Sequence, residues 1–157
     1  MAGLIAAFLI LAADQISKIT ALNMTMEGQS HEVLPFFNLV LVWNRGVSFG
    51  MFNHGDPLPP LVFVAISLII ATGFAVWLWR AESRWIATAL GLVVGGAIGN
   101  VIDRLVHGAV VDFLDFHLNG LHWPAFNIAD SGIVIGIALV VIDGLCSGTR
   151  KAGAQQS

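Results

Sequence analysis

Apolar positions along this chain come in long runs rather than alternating pairs, and the runs have the length needed to cross a bilayer. Two of them carry no charge: residues 57–79, between Asp56 and Arg80, and residues 85–102, between Arg84 and Asp103. A membrane helix takes about 20 mostly apolar residues, so each run predicts one span. A third run, from Phe126 to Leu145, holds Asp130 near its start and Asp143 near its end. A fourth, from Ala2 to Leu22, is interrupted by Asp14 and Lys18. Nothing alternates apolar and polar over about ten residues, which argues against barrel strands. The expected fold is mainly α: a single four-span membrane domain over residues 1–157, with spans near 2–22, 60–79, 85–103 and 126–145. Connections 23–59 and 104–125 lie on the outer face. Within them Leu39-Val-Leu-Val-Trp43 and Ala109-Val-Val111 read as strands, expected to pair into a small sheet at the membrane surface beside a short interfacial helix. Phe36, Phe37, Trp43, Phe49 and Phe52 suit an interfacial position. The first run is not read as a cleaved leader, because no basic stretch precedes it and Asp14 and Lys18 spoil its apolar core.

Composition agrees and narrows the class. Of 157 residues, 57% are hydrophobic and 11% charged, with a mean hydropathy of +0.83. Soluble domains run near ~25% charged residues. A net charge of -3 offers no basic footprint for nucleic acid. One cysteine excludes an intramolecular disulfide framework and a Cys-rich zinc site. Arg80, Arg84, Arg150 and Lys151 are four of the seven basic residues. Four spans put the turn that holds the first two on the same side as both termini, so that side is expected to be cytoplasmic. Gly91, Gly95 and Gly99 recur every fourth residue, as do Gly132 and Gly136. Such ridges let helices approach closely.

Charge inside a membrane segment is costly unless paired, which makes each such residue a functional candidate. Asp14 and Lys18 are four apart and share a helix face, in the favourable order for an ion pair. The alternative for Lys18 is to snorkel to the surface. Asn100 lies one turn inside Asp103 and Arg104, and its amide needs partners there. Asp112 follows an apolar pair. Asn127 and Asp130 have capping-box spacing at the start of the last span, a role compatible with catalysis. Consecutive spans with a short connection are usually neighbours, so Asp112 and Asp130 come within reach of each other at the outer interface. Two carboxyls at close range share a proton, the state that peptide hydrolysis by a carboxyl pair requires. One carboxylate deprotonates water while the carboxylic acid protonates the scissile carbonyl and later the leaving amine.

Five motifs in order resemble the lipoprotein signal peptidase (signal peptidase II) family of bacterial membrane aspartyl proteases. They are Asp14-Gln-Ile-Ser-Lys18, Asn44-Arg-Gly-Val-Ser-Phe-Gly50, Gly99-Asn-Val-Ile-Asp-Arg104, Val110-Val-Asp-Phe113 and Phe126-Asn-Ile-Ala-Asp130. Val47 stands where the family usually has Ala. The resemblance implies a catalytic dyad of Asp112 and Asp130. It implies supporting roles for Asp14, Lys18, Asn44, Arg45, Gly46, Asn100, Asp103, Arg104, Asn127 and Ala129. Asn44 and Arg45 would bind substrate oxygens, and Asp14 and Lys18 would brace the site. The implied substrate is a prolipoprotein cut just before its diacylglyceryl-modified Cys, and the implied inhibitor is globomycin. No cofactor or metal is implied. The expected setting is the bacterial inner membrane, with lipids as neighbours, both termini cytoplasmic and the site toward the outer face. A monomer is expected.

Other readings are weaker. Gly46-Val-Ser-Phe-Gly50 matches a hydrolase elbow, but that motif needs a large α/β sheet. Ser131-Gly132 lacks the Gly-x-Ser-Gly context of a rhomboid-like protease. His107, His117 and His122 share an outer loop with Asp112 and Asp115, without a His-Glu-x-x-His helix to make a metal site. A small proton- or ion-coupled carrier also buries charge, but near the midplane and often in repeated halves. The segment 48–59, with Gly50, Gly55, Pro57 and Pro59, reads as a lid or hinge.

Overall fold

A computed structural model describes residues 1–46 and 59–154, with side chains to residue 146. The lid segment and the Ser48 motif therefore lie outside the described residues, apart from Pro59 and Gly46. Four long helices carry the fold: α1 (Ala2–Met24), α2 (Pro60–Arg80), α3 (Arg84–His107) and α4 (Ile128–Ala154). All four are long and apolar enough to cross a membrane, α4 through its Ile128–Cys146 portion. Four strands complete it: β1 (Ser30–Leu34), β2 (Phe37–Asn44), β3 (Val110–Leu118) and β4 (Leu121–His122). Among the described residues no short interfacial helix is present.

Helix α3 is the centre of the bundle and packs against α1, α2 and α4. Its glycines explain why. A Cβ on Gly91 would collide with the Gly3 carbonyl of α1, and one on Gly95 with the Ala7 carbonyl. These backbones touch, as small-residue ridges in membrane helices allow. Elsewhere α1, α2 and α4 turn large apolar side chains outward, among them Leu4, Phe8, Ile69 and Ile142. That outward face suits hydrocarbon.

The sheet is antiparallel in the order β1-β2-β3-β4. The strands expected at 39–43 and 109–111 are there and are paired, but the first runs from Phe37 to Asn44 and the second starts at Val110, leaving out Ala109, and continues to Leu118. Trp43 faces Val111 and Val42 faces Asp112, with an irregularity between Leu39 and Val42. Phe37 packs on Phe116 with ring centroids 4.8 Å apart. Two backbone reversals place β3. Gly108 ends α3 with φ of 72°, and Asn119 and Gly120, at 52° and 78°, turn β3 into β4. Two successive positive φ values match the hairpin turn that Asn-Gly favours. Strand β3 thus starts three residues beyond α3 and brings its N-terminal end back to the bundle.

Candidate active site

The polar motifs meet at one end of the bundle, where the C-terminal halves of α1 and α3, the first turn of α4 and the strands β2 and β3 converge. At its base is a buried ionic group. Lys18 Nζ lies 2.9 Å from Asp14 Oδ2 and 2.8 Å from Asp103 Oδ2, and donates to Asn100 Oδ1 at 3.1 Å. All three ammonium protons therefore have acceptors. Lys18 does not snorkel: it is 2% exposed and Asp14 is 0% exposed. One cation facing two carboxylates leaves the group short of positive charge, and backbone donors supply the remainder. Ala129 N–H donates to Asp14 Oδ1 at 2.9 Å, and Val111 N–H to Asp103 Oδ2 at 3.0 Å. Every carboxylate oxygen is hydrogen-bonded, the condition under which buried charge is tolerated.

Two asparagines rise from this base, each holding one of the two remaining carboxylates. Asn100 Nδ2 donates to Asp130 Oδ1 at 2.7 Å. Asn127 Nδ2 donates to Asp112 Oδ1 at 2.7 Å and lies 3.3 Å from Asn100 Oδ1. Asn44, at the end of β2, donates to Asp112 Oδ2 at 3.0 Å, and its own oxygen accepts from Gly46 N–H at 3.1 Å. Asn127 also caps α4, accepting from Asp130 N–H at 2.9 Å. The N-cap role expected from the spacing is present, while the Asp130 carboxylate is occupied by Asn100.

Burial pushes the Asp112 carboxyl up to about 7, and the nearby Asp130 carboxylate pushes it the same way, against the pull of Asn44, Asn127 and Lys18. A cavity of about 260 Å³ has Asn44, Gly46, Phe63, Asn100, Arg104 and Asp130 among its lining, and Asp112 adjoins it through its bond to Asn44. Arg104 donates to Asn100 O at 3.3 Å and sits over the Phe63 ring at 5.7 Å.

Of the residues singled out by motif, Arg45 stands apart. It is exposed, and it lines a separate hollow with Glu27, Trp43, His107 and Ala109. Ser131 Oγ is tied to Asn127 O at 3.0 Å, as an ordinary helical hydroxyl. His122 pairs with Asp115 at 2.9 Å and stacks on His117. Among the described residues no group of three or more His, Cys, Asp or Glu is arranged for a metal ion. Two contributors escaped sequence reasoning. Gln15 bonds both ionic carboxylates, and its only sequence signal is its place inside the Asp14–Lys18 motif. Phe63 lies in an apolar span with no signal at all.

The family model for signal peptidase II matches residues 6–146. The chain belongs to the signal peptidase II family. The lipoprotein signal peptidase of Janthinobacterium sp. (strain Marseille) is 50% identical over 143 residues, 90% of this chain and 86% of that protein. The lipoprotein signal peptidase of Methylorubrum extorquens (strain PA1) is 47% identical over 148 residues, 91% of this chain and 85% of that protein. A bacterial membrane enzyme solved by the in meso method at 2.3 Å resolution superposes with a TM-score of 0.83 at 32% identity, covering 95% of this chain and 90% of that one. A signal peptidase II is an aspartic-type peptidase that removes signal peptides from prolipoproteins, so the carrier reading gives way to an enzyme in a bacterial membrane.

Proposed function

We propose that Asp112 and Asp130 are the catalytic dyad, and that the bond cleaved is the one just before the diacylglyceryl-modified Cys of the precursor. The observation that carries this is the convergence of both carboxylates on the bonded pair Asn100–Asn127 beside an open cavity. With one proton shared between them, one carboxylate takes a proton from water and the resulting hydroxide attacks the scissile carbonyl. The carboxylic acid protonates the carbonyl oxygen, giving a tetrahedral diol. The proton taken from water then passes to the leaving nitrogen as the C–N bond breaks, while the other carboxylate takes one diol proton, so the product leaves as a carboxylic acid and the pair again holds one proton. Asn100 and Asn127 hold the carboxyl planes while their charges change. Arg104, which lines the cavity, offers donors to the substrate backbone or head-group oxygens, while Asn44 holds Asp112 at the cavity's edge.

The depth of the site fits the substrate. The polar cluster lies at one end of four apolar helices, where a lipid-bearing Cys can keep its acyl chains in the bilayer while its peptide bond reaches the dyad. We assign this end to the outer face of the inner membrane and both termini to the cytoplasm, because Arg80, Arg84, Arg150 and Lys151 mark the opposite end. The chain works as a monomer, since one copy supplies the whole cluster. Separate Asp112→Asn and Asp130→Asn variants, assayed on a lipidated precursor, should both be inactive. Normal turnover in either removes that residue from the mechanism.

A further inference from the structure

Gln15 occupies the open side of the ionic group. Its Nε2 donates to Asp14 Oδ2 at 3.1 Å and to Asp103 Oδ1 at 3.1 Å, with Gly99 O at 3.4 Å. Lys18 bridges the same two carboxylates from the other side. Asp14, Lys18, Asp103 and Gln15 therefore form a closed ring between α1 and α3. The single Lys18 charge cannot neutralise both carboxylates, and their mutual repulsion would spread the side of the ring that Lys18 does not hold. Gln15 closes that side.

The ring's other contacts give this closure a consequence. Asp14 holds the N–H of Ala129, one residue before Asp130. Asp103 holds the N–H of Val111, one residue before Asp112. The spacing of the two ring carboxylates is thus passed to the two peptide units that carry Asp130 and Asp112. We propose that Gln15 is a positioning residue of the protease: by closing the ring it sets the separation of Asp112 and Asp130. The proposal rests on the dyad reading above. Gln15 is itself half-buried, so a polar replacement can be accommodated there.

The test uses the full-length protein in detergent or lipid, with Gln15→Leu, Gln15→Lys and an Asp112→Asn control. Gln15→Leu keeps the bulk and removes the donor, while Gln15→Lys returns a donor to both carboxylates. Gln15→Leu should lower kcat about 10-fold with KM little changed, since small misplacements of reacting groups cost rate rather than binding. Its alkaline activity limb should move to lower pH, because carboxyls held farther apart repel less. The charged groups around that limb are Asp14 and Lys18 of α1, Asp103 and Arg104 of α3, Asp112 of β3 and Asp130 of α4. Gln15→Lys should recover most of kcat. A Gln15→Leu variant with unchanged kcat and pH limb, beside an inactive Asp112→Asn, removes Gln15 alone. So does a loss that Gln15→Lys shares and that follows the unfolding temperature. An active Asp112→Asn overturns the dyad, and this proposal with it. If Gln15→Leu does not fold, Gln15→Met carries the same expectations.

Discussion

Asn127 and Asp112 are joined by a 2.7 Å hydrogen bond in which the same asparagine that starts α4 also orients a carboxylate on β3. One side chain thus ties a helix terminus to the proposed dyad. Asn127→Ala should lose the cap, costing about 1 kcal/mol of stability, and should also lose turnover. Asn127→Ser keeps a capping hydroxyl but is too short to reach Asp112. It should recover stability without recovering activity, as read from thermal unfolding beside precursor cleavage.

The raised Asp112 carboxyl has two consequences for pH. On the proposed dyad, the shared proton is kept only up to about pH 7, so activity should fall on the alkaline side with a midpoint in that region. Stability follows the same group. The folded protein binds the Asp112 proton more tightly than the unfolded chain, whose carboxyl titrates near ~4. Unfolding free energy should therefore fall as pH rises from about 4 to about 7, and this contribution should vanish in Asp112→Asn. A profile that rises across that window in the wild type contradicts the assignment.

Lys18 is the cation that bonds Asp14 and Asp103 directly and reaches Asp130 through Asn100. Lys18→Met should leave Asp14 and Asp103 facing each other unneutralised and cost about 3–5 kcal/mol, enough to unfold a marginal protein. Reversible unfolding in mild detergent measures it.

Gly99 lies against the ionic group, and a Cβ there would sit 2.6 Å from Asp14 Oδ2. Gly99→Ala should destabilise by about 1–3 kcal/mol, and the unfolding midpoint shows it. Gly144, with nothing within 4 Å of its Cβ position, should accept alanine without loss.

Asn44 and Arg45 are neighbours in sequence but face different hollows. Asn44→Ala removes a donor to a charged group and should cost roughly 10-fold or more in kcat. Arg45→Ala should change kcat by no more than about twofold, as for an exposed side chain outside the site. Equal losses would mean that Arg45 reaches substrate.

The four helices were legible because membrane spans leave a strong length-and-charge signal, and α1 was readable even through Asp14 and Lys18. The pairing of β2 with β3 was legible from Leu39–Trp43 and Ala109–Val111. Strand β1, all of it exposed, has no apolar periodicity to announce it. Asn119-Gly120 carries the dipeptide signal of the β3–β4 hairpin. The spacing of Asn127 and Asp130 foretold the cap, but the second cap, from Asp14, joins residues too far apart for any local pattern to show. The fate of Lys18 was open for the same reason: burial or snorkelling depends on whether Asp103 and Asn100 arrive from α3.

That second cap also bears on how the enzyme comes into being. Asp14 closes the first turn of a helix that begins more than a hundred residues later, across a sequence separation of 115. During synthesis the first span already holds its Asp14–Lys18 pair, but Asp14 Oδ1 waits for its backbone donor until the last span arrives. A partly inserted chain therefore has neither a finished α4 terminus nor a placed Asp130. On the proposed dyad, cleavage then requires the completed four-helix assembly.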